Sequence, residues 1–204
     1  MGVFLTLLLF FIPSLYANTT QYILSHDQLI DPRAILKINE IGSEVEAKTG
    51  VKIFLYAKEN YGINETLPMK EKLEKIKFYE NELLKSLSSP YVLITISLEQ
   101  THINLFVSEE LKTIINKDEI LNEYIIPLLA SKDKNRLFAK VSAAVLNGYA
   151  QIGDDIAKSR NIKLESSIGS GGKTFSTIWK VFMYSIVIIG LVVYTVAVLK
   201  SKKK

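Results

Sequence analysis

The stretch YVLITISLEQTHINLFVS, residues 91–108, decides the fold. Its first part, YVLITIS (91–97), is an almost continuous apolar run rich in β-branched residues, which is typical of a strand buried on both faces. Its last part, HINLFVS (102–108), alternates between polar and apolar residues, as a strand with one covered face does. The polar residues between the two runs predict a turn. The stretch therefore predicts an antiparallel hairpin whose first strand lies at the centre of a sheet.

A further strand and two helices precede the hairpin. VKIFLYA (51–57) is short, β-branched and aromatic, which indicates a core strand. Residues 31–50 predict an amphipathic helix, because Asp31 suits the N-cap and Gly50 suits the C-terminal stop. A second amphipathic helix is predicted over residues 68–87. It forms a right-handed crossover if the strands that it joins are parallel.

The chain after the hairpin is predicted to be helical. It begins with EELKTII (109–115), continues with KDEILNEYIIPLLA (117–130), and ends in a long helix over residues 131–159. No strand is predicted before residue 31. The predicted class is α/β: a three-layer-like sandwich with a small mixed sheet flanked by helices, plus one C-terminal transmembrane helix.

Both ends of the chain are apolar. The run VFLTLLLFFI (3–12) has the length of a secretory signal core and is too short to span a bilayer, so residues 1–17 predict a signal peptide, with an uncleaved anchor as the alternative. Residues 181–199 carry no charge and nearly match the thickness of a hydrocarbon core. A transmembrane helix is therefore predicted over residues 178–199. The lysines of residues 200–204 place that end in the cytoplasm.

This topology exports the α/β domain, residues 18–160, to the periplasmic or extracytoplasmic side. The whole chain has 25 basic and 21 acidic residues, but six lysines lie at or beyond position 173, which leaves 19 basic residues against 21 acidic ones in the exported part. The exported part therefore has no excess of positive charge, and nucleic-acid binding is not predicted. The chain has no cysteine, which excludes disulfides, thiolate catalysis and Cys-ligated metals.

The segment SSIGSGGKT (166–174) ends like a phosphate-binding loop. It lacks the first glycine of that motif, because Ser167 stands where the glycine is required. Glycine and serine in this proportion favour a flexible coil, so residues 161–177 predict a linker that lets the domain swivel above the lipid. No nucleotide partner is predicted.

Four stretches of the chain occur in an order that resembles the TPM domain family. SHDQLIDP (25–32) resembles the acidic, leucine-bearing start of the first helix, and EVEAKTGVKIFLYA (44–57) resembles the passage from helix through Thr-Gly to strand. VLITISLEQTHINLFVSEEL (92–111) resembles the two strands, their polar turn and the acidic helix start, and IIPLLASKDKNRLFAKVSAAV (125–145) resembles the long closing helix. The resemblance covers residues 22–158 and is to a bacterial, membrane-tethered TPM protein.

The resemblance implies an α/β sandwich that is exported and tethered to a membrane. Some plant members are associated with photosystem repair and are phosphatase-like with calcium binding, and an animal member resembles an accessory to a receptor channel. Two loops that are often rich in glycine in the family read LLKSLSSPYVLI (83–94) and VSEEL (107–111) in this chain, so those glycines are not reproduced.

The resemblance also implies candidate metal ligands. Asp27 corresponds to the first acid of the family, Glu110 to the acid at the helix start, and Asp118 is a third candidate. The implied ion is Ca²⁺ or Mg²⁺, since these hard cations take oxygen ligands. Glu109 and Glu119 are acids beside two of these positions. The alternative for both acidic pairs is that they favour helix N-termini through the macrodipole.

The remaining candidates supply no nucleophile. His26 is predicted to be a loop residue, and His102 is predicted to be exposed on the solvent face of its strand. Tyr61, in the polar loop over residues 58–67, is predicted to contact a partner. The sequence thus predicts a membrane-anchored binding or accessory module for another envelope protein, held in the lipid bilayer by its span. The alternative is a metal-dependent, phosphatase-like hydrolase that uses clustered carboxylates.

Overall fold

The computed structural model describes residues 21–132 and 135–169, together with the single positions Ile188, Leu191, Tyr194 and Thr195. The predicted signal peptide, the basic tail and the rest of the predicted span lie outside the described residues. Among the residues that are described, no helix is both long enough and apolar enough to cross a bilayer.

Four strands form one mixed sheet. The strands β1 (Ile23–Ser25), β2 (Lys52–Lys58) and β3 (Tyr91–Ser97) are parallel neighbours, and β4 (His102–Val107) pairs antiparallel with β3. Ser97 lies opposite His102 in the predicted hairpin. The predicted α/β class, the mixed sheet and the hairpin are therefore confirmed.

β1 is a strand that the sequence analysis does not predict. It has three residues, too few for an alternating pattern to stand out. It joins the sheet because the Leu55 N–H donates to the Tyr22 carbonyl at 2.8 Å and Ile23 pairs with Leu55. The neighbouring strand, and not local propensity, makes this segment extended.

Two helices precede the hairpin. α1 (Pro32–Thr49) begins where the Asp31 carboxylate accepts from the Arg33 N–H at 2.8 Å, and it ends at Gly50, whose φ of 70° is left-handed. α2 (Met69–Lys85) connects β2 to the parallel strand β3. Both predicted helices are confirmed, with the predicted cap and stop of α1.

The helices after the hairpin are less regular than predicted. A 3₁₀ turn (Glu109–Leu111) and the short α3 (Lys117–Glu119) lead into a π-helical stretch (Ile120–Ile125), which continues as α4 (Ile126–Leu129). The long helix α5 (Leu137–Ser159) begins at Leu137 and not at Ser131. The chain just before it, through Arg136, is polar and charged and offers no apolar face to pack.

Helices cover both faces of the sheet. Ile53 and Leu55 of β2 point to the face on which α1 and α5 pack, whereas Phe54 and Tyr56 point to the face on which α2 packs. The Tyr149 hydroxyl of α5 donates to the Ile53 carbonyl at 2.7 Å, which ties α5 directly to β2. The sheet is therefore buried between two apolar cores.

The outer edge of β4 is covered by polar side chains. The Leu105 N–H donates at 2.9 Å to the side-chain oxygen of Asn104, which also accepts from Lys117 at 2.5 Å. The Lys117 ammonium lies 5.9 Å from the ring centre of Phe106. An N–H group that could pair with another strand is thus already bonded, and a lysine stands beside it.

The start of the predicted linker is packed against the helices. We call residues 162–167 the strap. Leu164 and Ser166 are buried, and the Ser166 and Glu165 N–H groups both donate to the Glu44 carboxylate at 2.8 Å. The predicted flexible coil over 161–177 therefore does not begin at residue 161, because this part of it is held by α1.

Replacing Gly42 by Ala should destabilise the fold. A Cβ at this position would lie 2.4 Å from the Tyr149 hydroxyl and 2.6 Å from the Tyr22 ring. We expect the free energy of unfolding to fall by about 1–3 kcal/mol, although alanine favours helices, because neither ring can move without losing its contacts. Urea unfolding would measure this. The exposed neighbour Ser43→Ala should change the value by less than about 0.5 kcal/mol, and equal stability of both variants would contradict this packing.

Candidate functional site

The parallel strands define two edges of the sheet. The carboxyl edge consists of residues 25–28, 58–63 and 97–102, which follow β1, β2 and β3. The amino edge consists of residues 50–52, 89–91 and 108–111. A strand of seven residues separates the edges by about 20 Å. Ligands of open α/β sheets bind outside the carboxyl ends of the strands, so the carboxyl edge is the candidate site.

Asp27 lies at the carboxyl edge and is already paired. Its carboxylate accepts from the Lys58 ammonium at 2.9 Å and from the Glu59 N–H at 3.2 Å. The hydrogen bond from Lys58 lowers the pKa of Asp27 below its ordinary value. Asp27 has a positive φ of 38°, which these bonds offset. It is a charged carboxylate held in place between two strands.

The structure does not bring the three predicted metal ligands together. Glu110 lies at the amino edge, where its carboxylate accepts from the Ser89 hydroxyl at 2.8 Å. Asp118 is exposed on α3. It follows Lys117, whose ammonium donates to the Asn104 side chain in the middle of β4. In the described part of the chain, no three acidic or histidine side chains are grouped closely enough to hold a metal ion. Binding of Ca²⁺ or Mg²⁺ by Asp27, Glu110 and Asp118 stays a prediction.

A buried glutamate lies between α2 and the sheet. Glu80 is only 2% exposed. It accepts from the Thr95 hydroxyl at 2.5 Å, from His102 Nε2 at 2.9 Å and from the Asn104 amide at 3.4 Å. Burial alone would raise the pKa of Glu80, but the hydrogen bonds from His102 and Thr95 outweigh burial and lower it. The lowered pKa favours the ionised carboxylate, and an ionised Glu80 can only accept in its contact with His102 Nε2.

The prediction that His102 is exposed on a solvent face is wrong. α2 covers that face of the sheet, and the imidazole is 19% exposed because it lies against Glu80. Sequence reasoning missed Glu80, although a signal existed. Glu80 stands four residues after the buried Ile76 and three before Leu83, so it falls on the apolar stripe of α2. A charged residue at such a position needs a buried partner.

Three tyrosines form a second cluster on the α2 side of the sheet. The Tyr56 and Tyr79 hydroxyls lie 2.5 Å apart, and the rings of Tyr61 and Tyr79 stack with their centres 4.9 Å apart. Burial raises the pKa of Tyr56 and of Tyr61. Tyr61 is 7% exposed, so its side chain is part of the core. The prediction that Tyr61 offers a partner a free aromatic contact is wrong, because the stack buries it.

The turn of the hairpin is fastened to the chain after β2. The Leu98 and Glu99 N–H groups donate to the Lys58 and Glu59 carbonyls at 3.2 and 3.0 Å. The side-chain oxygen of Gln100 accepts from the Tyr61 N–H at 3.1 Å. These bonds make the carboxyl edge a rigid surface.

Among the described residues, two clefts beside the hairpin open at this surface. The first, the hairpin–α5 cleft of about 390 Å³, lies between the hairpin and the start of α5. Its lining is mainly aliphatic and includes Ile96, Leu98, Ile103, Ile126, Leu129 and Leu137. The second, of about 350 Å³, lies between the hairpin turn and the first turns of α2. The hairpin–α5 cleft therefore gives the carboxyl edge an apolar concave surface, while Asp27 and Lys58 at this edge are paired with each other.

Comparisons with known proteins support the fold. No family model and no curated protein matches the chain. The solution structure of the N-terminal domain of a protein from P. gingivalis is similar over 73% of this chain and 90% of that one, with a TM-score of 0.51 and 13% identity. The solution structure of the BA42 protein from the psychrophilic bacterium Bizionia argentinensis covers 69% of this chain and 94% of that one, with a TM-score of 0.41 and 13% identity. The chain thus contains a small α/β domain whose fold resembles that of the P. gingivalis domain.

Replacing Glu80 by Gln should lower stability in a pH-dependent way. Thr95 and His102 lose a charged acceptor, so the free energy of unfolding at neutral pH should fall by about 1–3 kcal/mol. Because folding lowers the pKa of Glu80, its contribution is complete above the ordinary value of 4.5 and is lost as the pH falls below it.

Urea unfolding at several pH values would measure both effects. We expect the stability of Glu80→Gln to depend less on pH than that of the unmodified chain as the pH falls from about 5 to about 3, because the pKa of Glu80 is lowered by folding. Glu82→Gln, an exposed position on the same helix, is the control. Parallel pH profiles for the unmodified chain and Glu80→Gln would show that the buried carboxylate does not stabilise the fold.

Proposed function

We propose that this chain is an exported, membrane-tethered domain of the TPM type that binds another envelope protein. The proposed order is a signal peptide, a three-layer α/β domain, a linker and a transmembrane helix with a cytoplasmic basic tail. The similarity of fold to a small α/β domain and the order of motifs along the sequence support the family proposal. The binding role is supported by the surface of the carboxyl edge.

Exposed apolar side chains at the carboxyl edge are the observation that carries the binding role. Leu137 is 56% exposed and Ile126 is 37% exposed, and both line the hairpin–α5 cleft. Phe138 follows Leu137 and is 38% exposed. Large apolar side chains gathered beside a concave apolar surface are typical of a protein-binding site.

The charged groups of this edge favour binding over catalysis. A general base must reach the proton that it removes. Asp27 is bonded to Lys58, and His102 directs Nε2 to Glu80. These polar groups hold the strands, the turn and α2 together. The rigid edge that results is suited to present a fixed surface to a partner.

A metal-dependent, phosphatase-like hydrolase is the second candidate. Asp27 favours it, because this ionised carboxylate lies at the edge where α/β sheets bind ligands. The reaction would need further oxygen ligands from elsewhere to complete an ion site. If this candidate is right, millimolar Ca²⁺ or Mg²⁺ should raise the melting temperature, and Asp27→Asn should abolish the rise. An unchanged melting temperature would reject it.

Replacing Leu137 by Glu should weaken binding of the partner protein. We expect chemical crosslinking of the full chain in its native membrane to give a product that Leu137→Glu reduces at least about tenfold, because a charge in an apolar cleft costs more than about 1.4 kcal/mol of binding. Glutamate at the first position of a helix does not disturb α5.

Leu36→Glu is the matched control, since Leu36 is 57% exposed on α1 and does not line the hairpin–α5 cleft. Circular dichroism checks that both variants fold. A crosslinked product that both variants retain, or that both lose while folded, would reject the carboxyl edge as the binding surface.

A further inference from the structure

A further cleft lies between α2 and the loop that follows β2. Its volume is about 610 Å³. We call it the aromatic cleft, because its lining includes the rings of Tyr61, Phe78 and Tyr79. It shares no lining residue with the hairpin–α5 cleft. A substitution in one cleft therefore leaves the lining of the other unchanged.

One part of the aromatic wall is exposed and the other part is fixed. Phe78 is 68% exposed, which leaves a large apolar ring in water. The ring of Tyr79 stacks on that of Tyr61, and its hydroxyl contacts that of Tyr56. Because these tyrosines are already held in place, little side-chain freedom is lost when a ligand binds beside them.

Two carboxylates lie beside these rings. Glu71 and Glu74 line the aromatic cleft, and both are exposed. Glu74 stands three residues after Glu71 and four before Phe78, so the three side chains lie on one face of α2. Like charges this close repel each other, and an exposed phenyl ring is unfavourable in water. Stability therefore does not account for this face of α2, whereas a bound cation would.

The negative charge of this face is not neutralised within the part of the chain that the structure describes. Other exposed glutamates, such as Glu82 and Glu109, are paired with a lysine three residues away. Glu71 and Glu74 form no ion pair with a described residue, although Lys75 lines the same cleft. The lining thus carries two negative charges against one positive charge, which favours a positively charged ligand.

We propose that the aromatic cleft receives an arginine side chain of the partner protein. This inference rests on the proposed function and names one chemical feature of that partner. A planar guanidinium stacks on an aromatic face and donates hydrogen bonds to carboxylates from its edge. It therefore suits the combination of Phe78 with Glu71 and Glu74 on one face of α2.

Other cations fit the aromatic cleft less well. A lysine ammonium is a compact, strongly hydrated charge that cannot stack on a ring as a guanidinium does. A quaternary ammonium group has no N–H to donate to the carboxylates. A hard metal ion requires more oxygen ligands than the two glutamates of the lining supply. The combination of a ring with two carboxylates therefore selects a guanidinium.

Small probes can test the charge requirement on the full chain in a non-ionic detergent. The probes are N-acetyl-arginine amide and N-acetyl-citrulline amide, which has the shape of the arginine probe but no charge. In ligand-observed NMR titrations we expect the arginine probe to bind at least about threefold more tightly. Equal affinities of the two probes would overturn the proposal, and so would equal binding of N-acetyl-lysine amide.

Phe78→Ala tests the aromatic contact. It should weaken binding of the arginine probe at least about threefold, because the stacking surface is lost. Leu36→Ala, at an apolar position of α1 that is 57% exposed, is the control and should leave the affinity unchanged. Circular dichroism checks that both variants fold. An unchanged affinity of folded Phe78→Ala would contradict the proposal.

Charge substitutions on α2 should act in opposite directions. Glu71→Gln combined with Glu74→Gln should weaken binding of the arginine probe at least about threefold, whereas Glu82→Gln should not, because Glu82 is paired with Lys85. Lys75→Gln should strengthen binding, since it removes the positive charge from the lining. A role in stability alone would not produce these opposite signs. No effect of the double variant, or weaker binding by Lys75→Gln, would reject the arginine site.

The partner is tested by crosslinking the full chain in its native membrane. We expect the Glu71→Gln, Glu74→Gln double variant to give at least about threefold less crosslinked product than the unmodified chain. A product that Leu137→Glu reduces but the double variant does not would reject this inference and leave the proposed function standing. An unmodified chain that gives no product rejects the proposed function and with it the partner, whereas the probe titrations decide on the cleft alone.

Discussion

Burial of β3 on both faces is the constraint on which the rest of the structure depends. Every residue from Val92 to Ser97 is buried, so α1 and α5 must cover one face and α2 must cover the other. Thr95 lies in this strand and brings a hydroxyl into the interior, where an unpaired polar group is costly. Glu80 supplies the acceptor, and His102 and Asn104 complete the set. The central strand therefore determines where α2 lies and which polar residues it must carry.

The same constraint explains why the carboxyl edge is rigid. The hairpin that contains β3 is bonded at its turn to the chain that follows β2, and Asp27 of the chain after β1 is bonded to Lys58. Charges that could have served chemistry are used to join three chain segments. The surface that remains is concave and apolar, which favours the recognition of another molecule through shape and burial.

Much of the fold could be predicted from the sequence because strong local signals agree with it. The run at 91–97, the alternation after it, and the cap and stop of α1 each have a short-range physical cause. β1 could not be predicted, since its extended form depends on β2. The π-helical stretch could not be predicted either, since it packs against a residue distant in sequence: a Cβ at Gly148 would lie 2.4 Å from the Ile125 side chain.

The candidate site was harder to predict than the fold. Asp27, a candidate from the sequence, lies at the carboxyl edge, but a sequence cannot show that Lys58 stands beside it. Glu110 follows the antiparallel strand, so it comes to the opposite edge, and only the direction of β4 decides this. The sequence analysis wrongly predicts that His102 is exposed and that Tyr61 contacts a partner. In the structure, residues of α2 that are distant in sequence cover both side chains: Glu80 contacts His102, and Tyr79 stacks on Tyr61.

The covered edge of β4 has a consequence for how this protein behaves when many copies are close together. An open terminal strand is a template on which a second sheet can grow, and repetition of that event leads to fibrils. Here Asn104 occupies the Leu105 amide, and Lys117 would bring two like charges together if two such edges met. Growth of a second sheet on the β4 edge is therefore disfavoured.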